Sequence, residues 1–261
     1  MSYVPATPAP IPKNIHYCWF GGAKLSPLVE QCIASWKLFL PDYEIKLWNE
    51  ETFDISRNQF SREAYAAKRW AFVSDFVRAS VLYEHGGIYM DTDVEVLKNL
   101  DRFLQHPVFL GFENNGLIST GIIGARKQHW LIGELLHHYE NLSFYRDNGR
   151  ENIKPNTFFL TALAKNHGFA TGNYYQVLDN EVHVYPSEYF CPKSSRSNQI
   201  ELTENSYTIH HFEGSWLPVN RRFKKNLRLF WMALFGQERY DRFSNFLKKL
   251  GRNNSSSTLI G

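Results

Sequence analysis

The chain has 261 residues, 43% hydrophobic and 16% aromatic, and 29 Lys/Arg against 26 Asp/Glu leave a net charge of +3. That is enough apolar material for one large core with a small appendage, and no run approaches the roughly 18 apolar residues a bilayer-spanning helix needs. Cys18, Cys32 and Cys191 are an odd, widely spaced set with neither C-x-x-C nor metal-site spacing, which reads as reduced, buried thiols of a cytoplasmic protein. The opening stretch MSYVPATPAPIPKN has no basic region followed by an apolar one, so no signal peptide is expected.

In chain order, residues 1–13 are Pro-rich and loosely held, and Asn14 to Phe20 alternates polar and aromatic residues before Gly21-Gly22, the pattern of a first strand and a tight loop. Ser26 is placed to cap a helix that begins with Pro27 and runs to about Phe39. Glu44 to Trp48 reads as a second strand, and Asn49 to Ser61 as a connection with a short helical turn. From Glu63 to Glu84 there is no Gly or Pro, and Gly86-Gly87 follows, so the spacing predicts one helix of about six turns. Its apolar residues leave little polar surface, which places it inside the domain. Asp75 and Arg78 interrupt that surface three residues apart, on one side of the helix, where they form an ion pair or reach a common ligand.

Ile88-Tyr89-Met90 then reads as a buried strand that runs into Asp91-Thr92-Asp93. Two carboxylates at the carboxyl edge of a strand lie where α/β sheets bind ligands, and they repel unless a cation lies beside them. Oxygen ligation suits Mg²⁺ or Mn²⁺, with the remaining positions taken by water and a substrate's phosphates. Beyond Asp93, Val94–Leu97, Pro107–Glu113, Ile118–Ala125, Tyr174–Leu178 and Val182–Tyr185 read as strands, and His129–Tyr139 and Pro155–Asn166 as helices. The alternation predicts an α/β class with helices flanking a mixed central sheet. Ile209-His210-His211 reads as a strand end before Gly214 and Trp216.

Charge is unevenly distributed. Residues 219–252 carry ten Lys/Arg and two Asp/Glu, a local +8, leaving 19 basic and 24 acidic residues, net −5, elsewhere. Basic clusters alternate there with Phe, Leu, Trp and Met at helical spacing, the composition of an amphipathic appendage drawn to an anionic membrane surface. Residues 253–261 read as a disordered tail, and 1–218 as the catalytic domain.

The run SDFVRASVLYEHGGIYMDTDV resembles the core signature of glycosyltransferase family 32, which includes fungal mannosyltransferases, bacterial capsule and lipopolysaccharide enzymes and, more distantly, clostridial toxin glucosyltransferase domains. The resemblance implies a GT-A-like fold with a helical C-terminal appendage, a nucleotide-sugar donor (UDP-linked), a divalent metal and retention of anomeric configuration. Carried onto this chain, it implies that Asp93 ligates the metal and that Asp91 meets the ribose and, through water, the metal. Asp75 would hold sugar hydroxyls, and Arg78 would offset charge on the leaving diphosphate. I-P-K-x-I-H-x-x-W-x-G-G resembles the family's opening strand, where Trp19 would stack on the base. H-x-x-x-S-W resembles its C-terminal loop, giving His211 or Glu213 as third ligand and Ser215 with Trp216 on the diphosphate. The acceptor would be a glycan or lipid-linked saccharide of a bacterial surface polysaccharide, reached at the cytoplasmic face, and nucleic acid is not an expected partner. Two rivals share parts of this pattern: a sugar-1-phosphate nucleotidyltransferase, for which Gly21-Gly22-Ala23-Lys24 is a short phosphate loop, and a non-catalytic sugar-binding module.

Overall fold

A computed structural model describes residues 9–113, 116–195 and 197–213, together with 239 and 242. Residues 1–193 and 200–213 form one compact unit, and 194–199 with 214–261 a second. The expected boundary at 218, the basic appendage and the tail lie, apart from 239 and 242, outside the described residues.

The first unit is an α/β domain in which β1 (Asn14–Cys18), β2 (Glu44–Trp48), β3 (Gly87–Met90), β5 (Val108–Gly111), β6 (Ile122–Ala125), β7 (Gln176–Leu178) and β8 (Val182–Tyr185) make one sheet. Their order is β2-β1-β3-β6-β5-β8-β7, while β4 (Val94–Val96) and β9 (Thr208–His210) pair separately. The β2-β1-β3 side is parallel and β3-β6-β5 antiparallel, so the sheet is mixed, as expected of a GT-A-like fold. Strand alternation sends Ile88 and Met90 to one face, with Trp36 of α1 (Pro27–Phe39), and Tyr89 to the other, with α3 (Trp70–His85) and α4 (Trp130–Glu140). Helix α5 (Asn156–Asn166) packs on that second face beside α4. A short α6 (Ser187–Phe190), absent from the sequence reading, follows β8.

The predicted six-turn helix is two helices, α2 (Gln59–Ala66) and α3. The break is a C-terminal cap without glycine. Lys68 takes φ 56°, and the Arg69 amide reaches back to the Ala64 carbonyl at 2.8 Å while the Lys68 amide bonds Tyr65. Arg69 is then held by the Glu151 carboxylate through two contacts of its Nε at 3.0 and 3.1 Å. Helix α3 buries Phe72, Val73, Phe76, Val77 and Leu82, each stabilising by about 1.5–3 kcal/mol. It ends as the glycine pair requires: Gly86 has φ 66° and Gly87 φ 109°, and a Cβ on Gly87 would lie 2.7 Å from the Asn14 carbonyl oxygen. That tight return sets β3 beside β1 and aims its carboxyl end at one edge of the sheet.

Candidate active site

Asp91 and Asp93 follow β3 directly. The Asp91 amide bonds the Gly121 carbonyl at 2.8 Å and the Val94 amide bonds the Asp91 carbonyl at 3.0 Å, so a tight turn carries both carboxylates between the central sheet and β4. The register of β4 on β9 sets Val94 opposite His210, and the His211 amide bonds the Asp93 carbonyl at 2.9 Å. The strand pair thereby brings His210 to the acidic turn, with Nε2 3.2 Å from Asp93 Oδ1 and 3.9 Å from Asp91 Oδ2. Donor atoms of Asp91, Asp93 and His210 all lie within 4.8 Å of one another. A Cβ at position 121 would lie 2.7 Å from His210 Nδ1, so glycine is what leaves the imidazole its place.

This corrects one expectation. His211 does not face the carboxylates; its Nε2 bonds Glu95 Oε2 at 2.8 Å on the other side of the strand. Neighbouring strand residues point to opposite faces, and no local signal distinguishes the two rings of His210-His211 until β9 has a partner. Glu213 meets the site through its amide, which donates to Asp93 Oδ2 at 2.8 Å. Ser215 and Trp216 lie outside the described residues.

The charges are fixed from behind. Arg78, 4% exposed, lies 3.0 Å from Asp91 Oδ1 and 3.2 Å from Asp75 Oδ1, bonds the Thr120 carbonyl, and stacks 4.5 Å from the Tyr89 ring centroid. Its fork is therefore committed to protein groups, which makes it the part that orients Asp91. Asn156 Nδ2 donates to Asp75 Oδ1 at 2.7 Å and its own carbonyl oxygen accepts from Thr120 Oγ1 at 2.6 Å, a support the sequence reading did not find. Burial lifts the Asp75 carboxyl to about 7 against the pull of Arg78. Asp91 is raised by burial also, whereas at Asp93 burial is outweighed by the His210 charge and the Glu213 amide, which hold it at about 2. His210 is correspondingly pushed well above its usual range by Asp93, against its own burial.

Trp19 follows β1, at the edge where Asp91 follows the parallel β3, and is partly exposed rather than core. Its indole Nε1 donates to the Ala23 carbonyl at 2.7 Å, closing the glycine loop, while the Gly21 amide is taken by Glu50 Oε1 at 2.7 Å. A loop whose amide already serves a carboxylate is not a cradle for a triphosphate, which weighs against the nucleotidyltransferase rival.

Two carboxylates and an imidazole are thus gathered at the carboxyl edge of a central strand in an α/β domain. Residues 26–110 match the family described as "Glycosyltransferase sugar-binding region containing DXD motif". Inositol phosphoceramide mannosyltransferase 3 of Schizosaccharomyces pombe is 29% identical over 147 residues, covering 52% of this chain and 39% of that protein. Glycosyltransferase L373 of Acanthamoeba polyphaga mimivirus is 26% identical over 230 residues, 80% of this chain and 84% of that one. Among solved structures, PaToxG glycosyltransferase gives a TM-score of 0.48 at 19% identity, over 60% of this chain and 70% of that chain. The chain thus spans well under half the length of the fungal relative and most of the viral one.

Proposed function

We propose that this domain transfers a hexose, with retention, from a nucleoside-diphosphate sugar, UDP-linked, to a saccharide acceptor carried at a membrane. The observation that carries the reading is the cluster of Asp91, Asp93 and His210 at the sheet edge. Two anionic oxygens and one imidazole nitrogen are a donor set for Mn²⁺ more than for Mg²⁺, because the imidazole shifts preference toward transition metals. Asp93, Asp91 and His210 would hold the ion, and bound there it would stabilise charge on the departing diphosphate. Arg78 keeps Asp91 oriented, and the partly exposed Trp19 offers a ring to the base. Asp75, buried behind Asp91, would receive sugar hydroxyls. A same-face reaction, in which the leaving phosphate takes the acceptor's proton, would give that retention. The acceptor, as in bacterial surface polysaccharide synthesis, would be met at the cytoplasmic leaflet; the fission-yeast relative, an inositol phosphoceramide mannosyltransferase by name, is in keeping with a membrane-borne acceptor.

The test is Mn²⁺ titration by electron paramagnetic resonance, with hydrolysis of a panel of UDP- and GDP-hexoses. His210→Asn should weaken Mn²⁺ binding at least about tenfold and remove metal-stimulated hydrolysis, as should Asp93→Asn, whereas His211→Asn should do neither. A wild-type protein that neither binds Mn²⁺ nor cleaves any donor sinks the proposal.

A further inference from the structure

Strands β4 and β9 pair with each other apart from the central sheet, over three residues each. So short a pair is marginal by itself. On the β9 side of β4, the Asp93 carbonyl accepts from the His211 amide at 2.9 Å and the Leu97 amide donates to the Tyr207 carbonyl at 2.8 Å. The Val94 carbonyl and the Val96 amide, in two fully buried residues, turn the other way and need partners there. Two side chains of α1 stand in for a third strand. Trp36 Nε1 donates to the Val94 carbonyl at 2.7 Å, and Ser35 Oγ accepts from the Val96 amide at 2.9 Å. Both lie on the buried face of α1 and are themselves fixed: Tyr17 meets the Trp36 ring edge-on at 5.4 Å, and Ser35 Oγ donates to the Cys32 carbonyl at 2.6 Å.

This hold reaches the three site side chains unequally. Asp91 is fixed on the central sheet, through its amide to Gly121 and its carboxylate to Arg78. Asp93 and His210 instead follow the strand pair, since Asp93 precedes Val94 and His210 stands opposite Val94 in the register. The 3.9 Å between His210 Nε2 and Asp91 Oδ2 therefore spans two sheets, and the place of β4 sets it. Val94 is the link: its amide bonds the Asp91 carbonyl at 3.0 Å, and its own carbonyl is held by Trp36. Without the indole N–H that buried carbonyl is left unpaired, and the strand must shift to satisfy it.

We propose that Trp36 and Ser35 are positioning residues of the metal centre, keeping Asp93 and His210 at the reach from Asp91 that a single divalent ion requires by completing the outer edge of β4. The role rests on the metal reading proposed above. Neither side chain would touch the ion or the donor; they act through Val94 and Val96, in the manner of the outer partners that orient metal ligands.

The experiment is Mn²⁺ titration by electron paramagnetic resonance into the full chain, Trp36→Phe and Trp48→Phe, with urea midpoints of the metal-free proteins. Phenylalanine keeps an apolar ring and removes the N–H. Trp48 is the control because its indole bond, to His16 Nδ1 at 3.1 Å, is made from β2 and not to β4 or β9. Folded Trp36→Phe should bind Mn²⁺ at least about tenfold more weakly than the wild type, and Trp48→Phe should bind it equally well. Should Trp36→Phe fail to fold, Ser35→Ala, which removes only a hydroxyl, carries the same comparison. Wild-type Mn²⁺ affinity in the folded variant overturns the assignment and leaves the metal reading standing. An equal loss in Trp36→Phe and Trp48→Phe also overturns it, since that is the mark of general destabilisation. If the wild-type chain binds no Mn²⁺, the metal reading fails and this inference falls with it.

Discussion

At the scale of single residues, the site depends on charges that neighbouring protein groups hold in place. Arg78 is the clearest: Asp75, Asp91, the Thr120 carbonyl and the Tyr89 ring converge on one guanidinium. Lysine at 78 keeps the charge but cannot span those partners, and hydrogen bonds to charged groups contribute about 1.5–3 kcal/mol each. Arg78→Lys should therefore lose at least about 2 kcal/mol in urea unfolding and lower turnover with it; an unchanged unfolding midpoint would show that the fork is not what holds the carboxylates. His16 makes a second case, remote from chemistry. Fully buried, it accepts from Trp48 Nε1 at Nδ1 and donates from Nε2 to the Gly86 carbonyl, so both ring nitrogens are committed to the neutral form. Burial chiefly, together with His85 and Lys46 and against the Gly86 carbonyl, lowers its pKa from 6.5 to about 4. Between those values the unfolded chain binds a proton that the native ring refuses. The His16 contribution is thus complete above pH 6.5 and is lost as pH falls toward 4, amounting to about 2 kcal/mol between pH 7 and pH 5. Urea midpoints at both pH values should show that slope diminished by this amount in His16→Gln; equal slopes in the two proteins would contradict it.

At the scale of elements, the junction of α2 and α3 decides where Asp75 and Arg78 lie, because it starts α3 at Trp70 rather than letting the earlier helix run through. Lys68 is exposed and bears the left-handed conformation at that cap, where a side chain costs up to about 1 kcal/mol relative to glycine. Lys68→Gly should accordingly raise stability by roughly 0.5–1 kcal/mol with activity unchanged, measured by urea unfolding and donor hydrolysis. A loss of stability would mean that the lysine side chain itself braces the junction. The same residue explains what the sequence could and could not convey. Ser26-Pro27 and Gly86-Gly87 are punctuation with a backbone reason, and α1, β3 and the position of Asp91 and Asp93 were legible from them. Lys68 in a left-handed cap carries no such mark, so two helices read as one. Ile118–Ala125 contracted to Ile122–Ala125 because Ser119, Thr120 and Gly121 bond across to Gly111, Asn156 and Asp91 instead of continuing the ladder. His210 was hidden for a non-local reason: its face is chosen by the pairing of β9 with a strand more than a hundred residues earlier, and the residues of 207–213 alone do not encode it.

At the scale of the whole molecule, the outstanding feature is charge, and it concerns where the enzyme works. The segment 219–252 holds a local +8 against −5 in the remainder, so an anionic leaflet should repel the body and attract the segment. No helix among the described residues is long and apolar enough to cross a membrane, and attraction to a leaflet surface needs none. Within the segment, Phe223, Leu227, Phe230, Trp231 and Leu234 recur at spacings of three and four, and Arg221, Arg222, Lys224, Lys225 and Arg228 flank them, the pattern of a basic amphipathic helix. Each basic residue near an anionic surface contributes about 1 kcal/mol, so reversing four of them should abolish an attachment of only modest strength. The full chain should therefore co-sediment with phosphatidylserine-containing vesicles, less so as salt rises, and not with neutral ones. The variant with Arg221, Arg222, Lys224 and Lys225 all changed to Glu should stay in the supernatant while still hydrolysing a soluble donor, because the Asp91, Asp93 and His210 cluster lies in the other compact unit. Equal sedimentation of variant and wild type, or binding indifferent to lipid charge, would remove the membrane from the proposal and leave the acceptor to be sought in solution.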